Sequence, residues 1–273
     1  MTIAEVLISL SGTPADEAAL DTAFAVAAPF GAHVTALFAT PDAREAVSAA
    51  DLREAVPVRG ERIAGAREQT RLAFAGAARK ADAVVRTAVE KYGTLSASYR
   101  EASGAAADAL AEAALFADLV VFPHGAAQGP LRPAFVRVLT QSEKPVLLAG
   151  AVARAPARIA IGWDGSLPSA RALTAALPLL KKAKTVELLT IGEPVGIPAS
   201  DAVDYLALHR VTASLRPLSS APVPIGRMLL AGAAGADLLV LGAYGHSRLV
   251  ERIFGGVTAH VLEHADMAIL LAH

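Results

Sequence analysis

The chain has 273 residues, of which 54% are hydrophobic and 19% charged, with a formal net charge of −1 and no cysteine. That length admits one large domain or two ordinary ones, and the composition suits a packed globular fold over a disordered one. Near-neutral charge excludes a global basic field for gathering nucleic acid or anionic membrane, and the lack of cysteine excludes disulfides, thiolate nucleophiles and cysteine-ligated metals.

In chain order, Met1 to Leu10 carries no basic leader and no cleavage site, and predicts a strand. No apolar stretch reaches the ~20 residues of a spanning helix; Leu110 to Phe122, for example, is broken by Glu112 and Asp118. A soluble, cytoplasmic protein is expected. Helical spacing covers Ala15 to Phe30, and a β-rich run covers His33 to Phe38. Extra length follows around Pro41 to Gly60. The run from Asp42 to Arg67 mixes charges of both signs and reads as a solvated, partly helical insertion, and a helix is predicted over Glu61 to Lys80. Strands are predicted at Ala117–Phe122 and Lys144–Ala149. After the run of small residues from Gly150 to Pro156, strands are predicted at Arg158–Trp163, Thr185–Ile191, Val211–Leu218, Asp237–Leu241 and Ala268–Ala272. Helices are predicted over Ser169–Lys182 and from about Val257 to Glu263.

The two halves repeat one another. The run from Glu5 to Thr13 (EVLISLSGT) parallels Arg158 to Ser166 (RIAIGWDGS), and ADLVVF from Ala117 parallels ADLLVL from Ala236. KPVLLA from Lys144 parallels MAILLA from Met267. The period is too long for a solenoid and indicates duplicated domains, 1–150 and 156–273. Alternating strands and helices with near-continuous apolar strands predict an α/β class. The expected architecture is two tandem doubly wound, Rossmann-like domains, each a mainly parallel five-stranded sheet flanked by helices. The apolar last strand of each half would be an exposed edge, and pairing the two covers both, giving a pseudo-dimer within one chain. A further homodimer is left open.

In doubly wound sheets ligands bind beyond the carboxyl ends of the strands, where strand order reverses. There the second half offers the Asp164–Ser166 turn and a glycine-rich loop from Gly242 to Thr258. Gly242 and Gly245 permit sharp turning and close approach. Gly255 and Gly256 precede a helix start, whose free N–H groups and dipole favour an anion. Thr258 adds a hydroxyl, and Arg248 and Arg252 either add charge or face solvent.

The Gly242, Gly245 and Gly255 spacing (Gly-x2-Gly-x9-Gly), the Asp164 turn and the Ala-Asp-Leu-Leu-Val-Leu-Gly run resemble the ATP-binding signature of the universal stress protein family. The resemblance covers nearly all of the second half, so the chain looks like a tandem member with one intact loop. It implies Asp164 beside the adenosine, the Ile191 backbone against adenine, and Gly242, Gly245, Gly255 and Thr258 around ribose and phosphates. The cofactor implied is ATP, with or without magnesium. Family members carry Ser or Thr after the third glycine, where this chain has Gly256. The first half departs further. Ser11 stands for Asp164, and Pro123 to Pro133 replaces the glycine loop, so an empty site with a structural role is expected.

Competing readings stand beside these. The glycines serve equally as turn and packing residues, and Asp164 as a helix cap. Trp163 and Tyr244 read as packing residues before base-stacking platforms, and His246 as a phosphate contact or a solvated loop residue. His260-Val-Leu-Glu-His264 matches an H-x-x-E-H zinc pattern but lacks a third ligand, so no metal is expected. The expected function is a nucleotide-binding regulatory protein of the stress response, with an unknown protein partner and at most slow ATP hydrolysis, since no general base is positioned. The alternatives are a scaffold that binds no nucleotide and an adenosine-handling enzyme of the pyrophosphatase type. The latter needs acids beyond Asp164.

Overall fold

The computed structural model describes residues 2–40, 52–86, 93–104, 106–192, 196–219, 222–243 and 256–273. The first half runs β1 (Glu5–Leu10), α1 (Ala15–Ala27), β2 (His33–Thr40), α2 (Leu52–Lys80), β3 (Val84–Val85), β4 (Ser96–Ser103), α3 (Ala106–Ala114), β5 (Leu119–Phe122), α4 (Arg132–Gln141) and β6 (Val146–Leu148). The second runs β7 (Arg158–Gly162), α5 (Leu167–Leu180), β8 (Thr185–Ile191), α6 (Ala199–Leu208), β9 (Ser214–Leu218), α7 (Ile225–Gly232), β10 (Leu238–Gly242), α8 (Gly256–His264) and β11 (Ala268–Ala272).

The strands form one sheet in the order β3-β4-β2-β1-β5-β6-β11-β10-β7-β8-β9. Every described pairing is parallel except the central one, where β6 meets β11 antiparallel with Leu147 opposite Leu270. The two apolar edges therefore cover one another, as their sequences require. Within each half the first strand neighbours the penultimate one, β1 with β5 and β7 with β10, so strand order reverses once in each half. Because the central strands are buried on both faces, they need no polar alternation: Leu119 to Phe122 and Leu238 to Leu241 are all buried. Val6, Ile8 and Val240 face one core layer and Leu7, Val120 and Leu239 the other.

The repeated Ala-Asp-Leu runs have a structural cause at the amino end of the sheet. Asp118 Oδ2 accepts the amides of Ala4 (2.7 Å) and Glu5 (3.0 Å). Asp237 Oδ2 accepts the amide of Arg158 (2.8 Å), and Arg158 Nη2 donates to Oδ1 (3.1 Å). Each aspartate fastens the first strand of its half to the penultimate one.

Three elements differ from expectation. The third strand of the second half starts at Ser214, while Val211 sits buried in the turn after α6, where Arg210 takes φ +63°. Helix α2 begins at Leu52, within the insertion read as partly helical and ahead of the start predicted at Glu61, and two-residue β3 adds a sixth strand to the first half.

Candidate functional site

Sheet register makes the two first turns equivalent position by position. Ile8 lies opposite Val121, and Ile161 opposite Val240, so Ser11 corresponds to Asp164, Gly12 to Gly165 and Asp16 to Ser169. Gly12 and Gly165 take φ of +75° and +79°, the left-handed conformation that lets each strand turn into its helix.

In the second half, Asp164 Oδ1 accepts the Ser166 amide at 3.0 Å, and Ser166 caps α5 by accepting the Ser169 amide. Desolvation pushes the Asp164 carboxyl up, but hydrogen bonds from Ser166 and Ser169 outweigh it and hold it below the usual carboxylate value. Asp164 is exposed and therefore ionised at neutral pH. An ionised carboxylate repels phosphate but accepts hydrogen bonds from hydroxyl and amino groups, which suits the nucleoside end of a nucleotide.

The loop after β8 closes over this turn. Ile197 donates its amide to Gly165 O (3.1 Å), and Trp163 Nε1 donates to Ile197 O (3.1 Å). Trp163 is buried and acts as a packing residue. Ile191, the last residue of β8, lies half-buried at the same carboxyl edge.

Gly242 ends β10 against the start of α5. A Cβ there would fall 2.5 Å from Pro168 C and Ser169 N, so glycine is required by the chain's own backbone. This close approach brings the ends of β7 and β10 together. Gly256 opens α8, and among the described residues a Cβ on it would meet nothing within 4 Å. Thr258 is buried in the first turn of α8. Gly245 and Gly255, with Tyr244, His246, Arg248 and Arg252, lie outside the described residues. The structure thus places Asp164, Ile191, Gly242, Gly256 and Thr258 on elements that end or begin at the carboxyl side of the second half's sheet. It joins Gly242 directly to the helix that follows the Asp164 turn.

The first half resolves the same turn differently. The Asp16 carboxylate accepts the Ser11 amide (2.9 Å), the Gly12 amide (2.8 Å) and the Ser11 hydroxyl (2.7 Å). Asp16 is only 2% exposed, and burial outweighs those bonds to raise its pKa. Carboxylate and hydroxyl have exchanged places between the repeats, and the first turn is closed by its own side chain. Helix α2 lies over it: a Cβ on Gly12 would fall 2.6 Å from Ala66 Cβ.

The first half's replacement loop also has partners. Gln128 Nε2 donates to Leu262 O (3.1 Å), and His124 Nε2 lies 3.2 Å from Ala265 O. These donors meet carbonyls left over at the end of α8, whose other end begins at Gly256. Neither Asp16 nor this clasp is predicted from sequence. Alignment of Ser11 and Asp16 with Asp164 and Ser169 carries the signal for Asp16. The clasp has no local one.

His260 and His264 stack at 4.2 Å between ring centroids, and a Cβ on Gly226 would fall 2.9 Å from His260 Cβ. His260 therefore lies in the α7–α8 packing. Among the described residues no three His, Cys, Asp or Glu side chains gather as a metal site, and no helix is long and apolar enough to cross a membrane.

The fold so defined is a doubly wound α/β unit repeated once and joined through its last strands. Solved structures share it over the whole chain. A universal stress protein from Archaeoglobus fulgidus matches with TM-score 0.68 at 13% identity, covering 98% of this chain and 97% of that one. A functionally unknown protein from Pseudomonas aeruginosa matches at 0.57 with 16% identity, covering 99% and 92%. A putative universal stress protein from Pseudomonas aeruginosa matches at 0.55 with 17% identity, covering 99% and 93%. No family model and no curated protein matches the sequence.

Proposed function

We propose that the chain is a tandem universal stress protein of the cytoplasm, built of units 1–150 and 156–273, that binds one adenine nucleotide in its second unit. The observation that carries this reading is the contrast between the two turns: Asp164 is exposed and ionised where its counterpart turn is closed by buried Asp16. The nucleoside would lie against Asp164 and the end of β8 at Ile191. The phosphates would lie toward the start of α8, where Gly256 and Thr258 open the helix. ATP, with or without magnesium, is the ligand proposed, and its binding would shift the shape or contacts of the protein toward a partner protein.

Calorimetric titration of the full chain with ATP tests the reading. One site per chain is expected, with affinity falling about tenfold in Asp164→Ala, the worth of one hydrogen bond. A folded sample that gives neither heat nor a thermal shift at millimolar ATP would overturn it, and would favour a scaffold that uses no nucleotide.

A further inference from the structure

Helix α2 carries an exposed stripe that the described residues leave uncovered. Glu68, Leu72, Ala75 and Arg79 recur at i, i+4, i+7 and i+11, which places them on one face, and all four are exposed. Leu72 is 64% exposed, although on the same helix Phe74, Ala77 and Ala78 are buried. Among the described residues neither Glu68 nor Arg79 has an ion-pair partner, whereas neighbouring Lys80 is tied to Asp21 of α1 and Arg67 to Glu101 of β4.

Two glycines flank this stripe. Gly65 and Gly76 stand inside the helix, eleven positions apart and so on nearly the same face. Glycine is a poor helix residue and normally persists where a neighbour comes too close for a Cβ. Among the described residues a Cβ on either would meet nothing within 4 Å, so no described neighbour explains them. Beside Gly76 runs a groove of about 690 Å³ between α1 and α2, lined by Leu72, Ala73 and Gly76 among others.

The stripe is complementary to itself when reversed. If two copies of α2 run antiparallel about a two-fold axis between positions 73 and 74, Glu68 meets Arg79 of the other copy, and Arg79 meets its Glu68. Leu72 of each then falls at the level of Ala75 and Gly76 of the other, where small residues leave room. We propose that α2 is the interface of a homodimer, an isologous antiparallel helix pair with Leu72 seated in the partner's Ala75–Gly76 notch and two Glu68–Arg79 ion pairs at its ends. Within one helix Glu68 and Arg79 are separated by about 16 Å along the axis, so their pairing can only be between chains. The surface is separate from the nucleotide site, and the proposal stands whether or not ATP binds.

Sedimentation velocity on the full chain, at concentrations up to the millimolar range, tests it. The wild type is expected to sediment as a dimer, and Leu72→Glu as a monomer with unchanged circular dichroism. Glu68→Arg and Arg79→Glu are each expected to weaken the dimer at low salt, and the double variant Glu68→Arg/Arg79→Glu to restore it. Restoration by the swap is unique to a reciprocal antiparallel contact. A wild type that is monomeric throughout, including one that uses this face for a different protein, would overturn the proposal. So would a dimer indifferent to Leu72→Glu and to both single charge changes.

Discussion

The β1–α1 and β7–α5 turns share a backbone and differ in where they keep their carboxylate. In the second half it stands at the mouth of the turn, exposed at Asp164. In the first it has moved five residues into the helix, to Asp16, and folds back to accept donors from Ser11 and Gly12. One carboxylate is exposed and the other is consumed by its own turn. The comparison teaches that turn amides at a helix start need an acceptor, whichever side chain supplies it.

The largest effect expected from breaking this arrangement is at Asp16. Asp16→Ala leaves several inward-facing donors without an acceptor, each at about 1–3 kcal/mol, so a loss of roughly 3 kcal/mol in unfolding free energy is expected in denaturant titration. Asp164→Ala, at an exposed site, is expected to change stability by less than about 0.5 kcal/mol. Equal losses at the two positions would show that the Asp164 turn is also a structural closure.

The fold is legible because its signals are local and periodic. The run from Arg158 to Trp163, the apolar stretch after Asp237 and the matched ends at Ala149 and Ala272 each announce a buried strand, and their repetition announces the duplication. The site is legible only in part. Ser11 is visible as the missing aspartate, but Asp16 is not visible as its replacement, since its role depends on a helix bringing it back over the turn. Gly242 is visible as a required glycine, yet the atoms that require it are Pro168 and Ser169, far along the chain. His124 and Gln128 reach α8 across 141 and 134 positions, a distance over which no periodicity speaks. The start of α2 is hidden because mixed charge without an apolar stripe gives no helical period.

A second pair of equivalent positions sharpens the comparison at the opposite end of the sheet. Glu5 and Arg158 each begin the first strand beside its clamping aspartate. Arg158 is held by Asp237, whereas Glu5 is pushed up to about 7, chiefly by burial and also by the nearby Asp118, against a hydrogen bond with Thr35 and the charge of Arg100. A pKa raised in the folded state means that the folded protein binds the proton more tightly than the unfolded chain. The stabilisation is complete below the unfolded value of 4.5 and is lost as pH rises through about 7. Glu5→Gln is therefore expected to raise the melting temperature at pH 8 relative to wild type, and to change it little at pH 4. A benefit that is the same at both pH values would mean the carboxyl does not titrate in this window.

The smallest effect expected concerns the one position where the second half departs from the glycine-loop pattern it otherwise resembles. A hydroxyl at the first position of α8 would face the same space as the helix's free amides, and a Cβ at Gly256 meets no atom of the described residues within 4 Å. Gly256→Ser should therefore fold as the wild type does and gain one hydrogen bond to a bound phosphate. That is worth about 0.5–1.5 kcal/mol, or up to roughly tenfold in ATP affinity. The same change should leave adenosine affinity unaltered if, as proposed, the phosphates meet the start of α8 and the nucleoside meets Asp164. Parallel titration with ATP and adenosine reads both. A gain for both ligands would place the nucleoside, not the phosphates, at the start of α8 and reverse the orientation proposed here, with Asp164 then left to meet whatever stands at the other end of the crevice.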